Sequence, residues 1–253
     1  MQINELIALW RAEEEIAHIH GWDFSHLDGR WEEDGQYPWD YKTAILDHLK
    51  PDSKVLDIDT GGGEFLLSLG HPHALLSATE AYAPNVQFCK QTLLPLGVDF
   101  REARGDGLLP FEDNQFDLVI NRHGSYNPSE IYRVLRPGGL FITQQVGAQN
   151  DQELVCLLLP HMTAVPFPEQ QLSQTVNRFK DVGFEILDAK ECFCSLRFFD
   201  VGAVVWFARI IVWEFPDFSV DRCLNELLSA QKHIEQHGSI DCRTHRYFLM
   251  TRK

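Results

Sequence analysis

Apolar side chains recur at helical spacing near the start of the chain. Ile3, Leu6, Ile7, Trp10 and Ala17 share one side and Glu13, Glu14 and Glu15 the other, which predicts an amphipathic helix over 3–19. From 21 to 39 that order is lost. Gly21-Trp22-Asp23-Phe24, Gly29-Arg30-Trp31 and Tyr37-Pro38-Trp39 have neither a helical nor a strand period and read as an aromatic loop. Residues 40–50 resume the helical pattern through Ile45, Leu46 and Leu49, and Pro51 stops it. Short apolar runs and helical stretches then alternate. Strands are predicted at 55–58, 74–79, 98–102, 116–121 and 140–144, and helices at 64–69, 84–94 and 128–135, with Arg136-Pro137-Gly138-Gly139 as a turn. Such alternation predicts an α/β protein: a doubly wound, mostly parallel sheet with helices on both faces. Beyond 150 the pattern loosens to helices at 151–159 and 168–182, a strand at 184–190, a helix at 220–236 and a closing strand at 245–251. The run 201–213 suits either a helix or a buried strand. Without a repeat or an obvious linker, the expectation is one domain over 1–253, decorated at 1–50 and at about 195–240.

With 253 residues, 44% of them hydrophobic, the chain can bury a core without metals or disulfides. A formal charge of -15 repels polyanions, so nucleic acid and anionic membranes are disfavoured partners. The six cysteines form no C-x-x-C pair; Cys192 and Cys194 would share one face of a strand, where two small apolar side chains can pack. The opening residues lack the basic and apolar regions of a signal peptide, and 201–212 is too short to span a bilayer. A cytoplasmic protein is expected, with no transmembrane helix.

The chemistry concentrates after the 55–58 strand, in Asp57-Ile58-Asp59-Thr60-Gly61-Gly62-Gly63. In open α/β sheets the loop at this strand's carboxyl end is where ligands bind. A dinucleotide fingerprint would need glycines in a G-x-G-x-x-G frame, and no register of this cluster supplies all of them. No Gly-Lys-Ser/Thr follows, so a Walker loop is excluded. An acidic strand end and a bare backbone turn remain.

This pattern resembles the first motif of the class I S-adenosylmethionine-dependent methyltransferases, an acidic residue followed by x-Gly-x-Gly-x-Gly. Asp57, Gly61 and Gly63 fall on motif positions, and Asp59 replaces the first glycine. Three further matches follow in order: Glu80 after the second strand, Gly105-Asp106-Gly107 after the third, and Glu130 to Leu140 leading into the fifth. The resemblance covers about 51–146. It implies a Rossmann-like sheet of seven strands with an antiparallel last strand, and S-adenosyl-L-methionine as cofactor. Glu80 would meet the ribose hydroxyls and Asp106 the adenine; Asp57 would support the turn made by Gly61 and Gly63, and Ala81, Gly107 and Asn121 are further candidates to bind the cofactor. Asp59 would either pair with the cofactor's ammonium or crowd the loop.

His123 ends the fourth strand, where the family often places groups facing the acceptor, and is the candidate base; His245 and Tyr126 are weaker ones. The pairs His18/His20, His71/His73 and His233/His237 lack a metal-binding motif, so no metal is expected. Aromatic faces attract sulfonium cations, so part of the run Trp22, Phe24, Trp31, Tyr37, Trp39 and Tyr41 would form a lid over the cofactor's methionine half. The alternative is that it shapes the acceptor pocket, for which Trp22, Trp39, Tyr41 and Tyr126 are the candidates, with Trp22 to Tyr41 and 201–236 as the cover. The expected partner is a small-molecule acceptor. An RNA methyltransferase and a non-catalytic cofactor-binding protein are the alternatives.

Overall fold

Strand β2 (Val55–Ile58) is covered on both faces: all four of its residues, Asp57 included, are buried. The computed structural model describes residues 2–18, 23–162 and 164–253. In chain order the elements are α1 (Ile3–Ile16), β1 (Trp31–Glu33), α2 (Tyr41–Leu46), β2, α3 (Glu64–Leu67), β3 (Leu76–Glu80), α4 (Ala83–Thr92), β4 (Asp99–Glu102), β5 (Phe116–Arg122), α5 (Pro128–Val134), β6 (Leu135–Val146), α6 (Gln152–Leu158), α7 (Leu172–Val182), β7 (Glu185–Phe198), α8 (Val201–Ile210), α9 (Leu224–His237) and β8 (Ile240–Arg252).

The sheet has eight strands in the order β1-β7-β8-β6-β5-β2-β3-β4. The run from β6 to β4 is parallel, and β8 lies antiparallel on β6, from Leu140↔Arg252 to Val146↔Arg246. The doubly wound, mostly parallel α/β architecture expected from the sequence is therefore present. The strand beyond the expected seven is β1, which pairs Trp31 with Phe198 inside the stretch read as an aromatic loop. Three residues are too few to show a period. Winding leaves β2 in two directions, toward β3 and β4 on one side and toward β5 and β6 on the other. The switch point, and with it the ligand crevice of an open α/β sheet, lies at the carboxyl ends of β2 and β5.

The chain divides into two compact units. The second unit is Tyr37–Gly147, Glu169–Cys192 and Arg246–Lys253. It has a core on each sheet face. One contains Ile45, Val55, Leu66, Leu118, Ile120 and Ile142; the other contains Leu56, Ile58, Val119, Phe141, Ile131 and Phe179. Alternation along β5 sends Leu118 and Ile120 one way and Val119 the other. Arg133 ties α5 to the loop before β5, donating to the carbonyls of Leu109 and Phe111 and pairing with Glu130 and Asp113.

The first unit is Met1–Gln36, Ala148–Pro168 and Phe193–His245, around Trp10, Leu27, Val204, Phe207, Phe215 and Leu227. Here the ambiguous run 201–213 becomes α8, buried at every position except Arg209. Its start is fixed by Asp200, whose Oδ1 accepts from the Ala203 amide at 2.8 Å and which also pairs with Arg30. A helix that is apolar all round cannot show an amphipathic period, which is why the sequence left two options open. The expected 195–240 insertion begins later, because β7 continues to Phe198 and β8 starts at Ile240.

Candidate functional site

At the end of β2 the chain turns through Asp59, which adopts a left-handed backbone with φ of 53°. The next residues close the turn: Thr60 Oγ1 donates to Asp57 at 2.6 Å, and the Gly63 amide donates to the Thr60 carbonyl at 3.1 Å. Gly63 has φ of +84°, and a Cβ there would lie 2.7 Å from Leu93, so both conformation and space demand glycine.

Glu80, at the end of β3, holds this turn from the side. Its Oε2 accepts from the Gly61 amide at 2.9 Å and more distantly from Asn85, and its Oε1 accepts from the amides of Ala81 and Tyr82 at 2.8 and 2.9 Å. A carboxylate offers about four acceptor positions, and all are taken. A ribose hydroxyl would have to replace the Asn85 amide, which at 3.4 Å is the longest of the four.

Asp59 has a partner that the sequence gave no reason to expect. Its Oδ2 accepts from both the amide (2.8 Å) and the hydroxyl (2.9 Å) of Ser125, in the loop after β5. Gly105, after β4, closes the arrangement, since a Cβ there would lie 2.2 Å from the Ser125 carbonyl oxygen. The loops after β2, β4 and β5 are thus interlocked. Asp59→Ala should lose about 1 to 3 kcal/mol of stability with these hydrogen bonds, and Asp59→Gly about 1 kcal/mol less, because glycine relieves the left-handed backbone. Urea unfolding of the two variants checks this; equal stability would remove the strain from the account.

Asp57, Asp59 and Glu80 form a carboxylate cluster. Burial is the main reason that Asp57 is pushed up to about 7, with Asp59 and Glu80 adding to it and Thr60 and Arg122 opposing. Asp59 is also raised, first by burial, against its bonds to Ser125. Such a cluster favours a cationic ligand. Asp106 is exposed and forms a bidentate pair with Arg104, at 2.8 and 3.0 Å, so adenine would share it; Gly107 follows in the same loop.

His123 has a left-handed backbone, φ 61°, and its Nε2 lies 3.2 Å from Gln144 Nε2. Since the Gln144 amide can only donate there, His123 Nε2 accepts, and the ring's proton sits on Nδ1. Trp39 Nε1 completes the chain, donating to Gln144 Oε1 at 2.8 Å. Although His123 is an exposed residue, enough protein surrounds the ring for desolvation to push it down to about 3, helped by the charges of Arg246 and Arg122. A ring held that low is neutral at pH 7.

Two further expected site residues are buried. Asn121 is fully buried, donating to the Ile58 carbonyl at 2.8 Å and accepting from Gln145, so its side chain joins β2 to β5 rather than facing a ligand. Tyr41 is buried with its hydroxyl donating to the Asn121 carbonyl at 3.0 Å, so it supports that strand end and does not line a pocket. Trp39 stacks between Tyr37 and Phe248, and Tyr126 packs on Phe141 and Phe179 with its hydroxyl 3.4 Å from that of Tyr247. Trp22 and His20 lie outside the described residues. His245 belongs to the first unit, where it stacks on Phe193. Among the described residues, no group of three His, Cys, Asp or Glu side chains is placed to hold a metal ion.

Residues 56–143, all within the second unit, match the methyltransferase domain family. A demethylmenaquinone methyltransferase of Lactiplantibacillus plantarum is 31% identical over 131 residues, 46% of this chain and 54% of that one. A phthiotriol/phenolphthiotriol dimycocerosates methyltransferase of Mycobacterium tuberculosis is 37% identical over 109 residues, 39% of each chain. The matched stretch resembles the class I methyltransferases. It spans about half the length of the first of these relatives and less of the second. In fold the chain is similar to the YcgJ protein of Bacillus subtilis, with a TM-score of 0.56, 17% identity and coverage of 84% of this chain and 97% of that one. It is also similar to a functionally unknown protein of Deinococcus radiodurans, with a TM-score of 0.56, 14% identity and coverage of 90% and 95%.

Sequence reasoning missed Ser125, Gln144 and Arg122 as parts of this crevice. Ser125 and Gln144 are reached only through the pairing of β5 with its neighbours. Arg122 had a signal in its place beside His123.

Proposed function

We propose that the chain is an S-adenosylmethionine-dependent methyltransferase acting on a small-molecule acceptor in the cytoplasm. The observation that carries this reading is the cluster of Asp57, Asp59 and Glu80 around the glycine turn, at the switch point of a methyltransferase-family sheet. The donor set fits the cofactor: buried carboxylates suit its ammonium and sulfonium charges, and the space over Gly61, where a Cβ would meet nothing within 4 Å, admits a ligand close to backbone. When bound, S-adenosylmethionine would supply an already activated methyl group.

The chain's own work is then alignment and exclusion of water. His123, neutral at pH 7 and fixed through Gln144 and Trp39, is assigned to orient the acceptor with its Nδ1–H. An acceptor that reaches the site already nucleophilic, as a carbanion, thiolate or neutral amine, needs no base from the protein. The relatives' names, which specify a demethylmenaquinone and a phthiotriol, support a small, apolar acceptor. Among the described residues no helix is long and apolar enough to cross a membrane.

The test is calorimetry with S-adenosylmethionine, followed by incubation with isotope-labelled cofactor and a metabolite extract. Micromolar binding and a labelled small product are expected. No binding at millimolar cofactor would overturn the reading, and so would strongly salt-dependent labelling of RNA.

A further inference from the structure

We propose that Arg122 holds the carboxylate of the cofactor's methionine end, opposite the carboxylate cluster that faces its ammonium. The proposal rests on the reading of the crevice as an S-adenosylmethionine site and adds a residue that neither the glycine motif nor the family match assigns. Arg122 is the last residue of β5, directly across the switch point from the turn that follows β2. Its guanidinium carbon lies 4.8 Å from the ring centre of Phe65, the second residue of α3, which begins immediately after Gly63.

Two arginines act electrostatically on the carboxylates of the turn: Arg122 on Asp57, and Arg104 with Asp59. Arg104 is already committed to Asp106 in a bidentate pair. Among the described residues, no carboxylate is within ion-pair distance of Arg122, whereas Arg101, Arg133 and Arg136 of the same unit each have one. In a chain with 37 acidic residues against 22 basic ones, a guanidinium left without a carboxylate beside an acidic cluster is an unfilled half of a recognition pair. The contact with the Phe65 ring restrains the guanidinium, whose N–H groups can form a fork on a carboxylate. The methionine end of the cofactor is a zwitterion. It presents an ammonium and a carboxylate on one carbon, which matches a site with Asp57 and Asp59 on one side and Arg122 on the other.

The experiment compares three ligands by calorimetry: S-adenosylmethionine, its decarboxylated form, and 5′-methylthioadenosine, which lacks the amino-acid end. The native protein is expected to prefer S-adenosylmethionine over the decarboxylated form by about 10- to 100-fold. Arg122→Gln should abolish that preference, weakening S-adenosylmethionine by the same factor and leaving decarboxylated S-adenosylmethionine and methylthioadenosine within about twofold. Arg122→Lys should retain part of the preference. Arg122 is exposed, so both variants should keep the native melting temperature.

Equal weakening of all three ligands would overturn the proposal in favour of a structural role. Unchanged cofactor binding with a raised acceptor KM would overturn it in favour of the acceptor. Failure of the native protein to bind any of the three would instead remove the cofactor reading itself.

Discussion

Asp57→Asn is expected to make the ligand-free protein more stable at pH 8 and no more stable at pH 3. The carboxyl is raised from 3.8 to about 7 in the folded protein, chiefly because it is buried. Folding therefore binds a proton between those values, and native stability falls as pH rises from about 4 to 7. Below pH 4 the group is protonated in both states and the penalty vanishes. Asparagine reproduces the neutral form and still accepts from Thr60. At pH 8 it should gain about 2 to 4 kcal/mol, the worth of a shift of this size after allowance for relaxation. Urea unfolding at both pH values checks the sign, and a loss of stability at pH 8 would show that the buried charge is compensated. The same group gives cofactor binding a pH dependence. A cation bound beside Asp57 lowers its pKa, so affinity should rise by up to about tenfold per pH unit on approaching 7 from below and level off above it. Asp57→Asn should flatten that profile.

The second large effect is at Glu80. Its carboxylate is the acceptor for the main-chain N–H groups of Gly61, Ala81 and Tyr82, so Glu80→Ala should cost about 3 to 5 kcal/mol of stability and more than about 100-fold in cofactor affinity. Glu80→Gln should fare nearly as badly. Its NH2 must face either Gly61 or the Ala81 and Tyr82 amides, and a donor facing a donor leaves part of the turn unsatisfied. Native stability in Glu80→Gln would mean that the turn holds itself and that Glu80 is free for ribose.

These two residues also show how far the sequence could be read. The type and position of Asp57 and Glu80 were visible because each lies at the carboxyl end of a short buried strand of the predicted alternation. Their partners were not, because hydrogen bonds to main-chain amides leave no trace in side-chain identity. Asp59 was legible as a departure from the glycine pattern, whereas its latch on Ser125 depends on two loops 66 residues apart meeting at the switch point. His123 was found by place, but its surroundings were not legible, because burial and the charges of Arg246 and Arg122, from strands β8 and β5, arise only in the folded sheet. Where periodicity failed, as in α8 and β1, the cause was uniform burial in one and brevity in the other.

The division of the chain has a consequence for recombination. Each unit is assembled from three separate segments, so the chain passes from one to the other five times, twice in the middle of the long strands β7 and β8. A single crossover between genes cannot exchange one unit for a relative's, and no uninterrupted fragment encodes either. Transplanting the first unit onto another methyltransferase domain would require three inserts made together. The joins within β7 and β8 would also have to preserve the odd-even register of each strand, since a one-residue slip would turn its buried face outward.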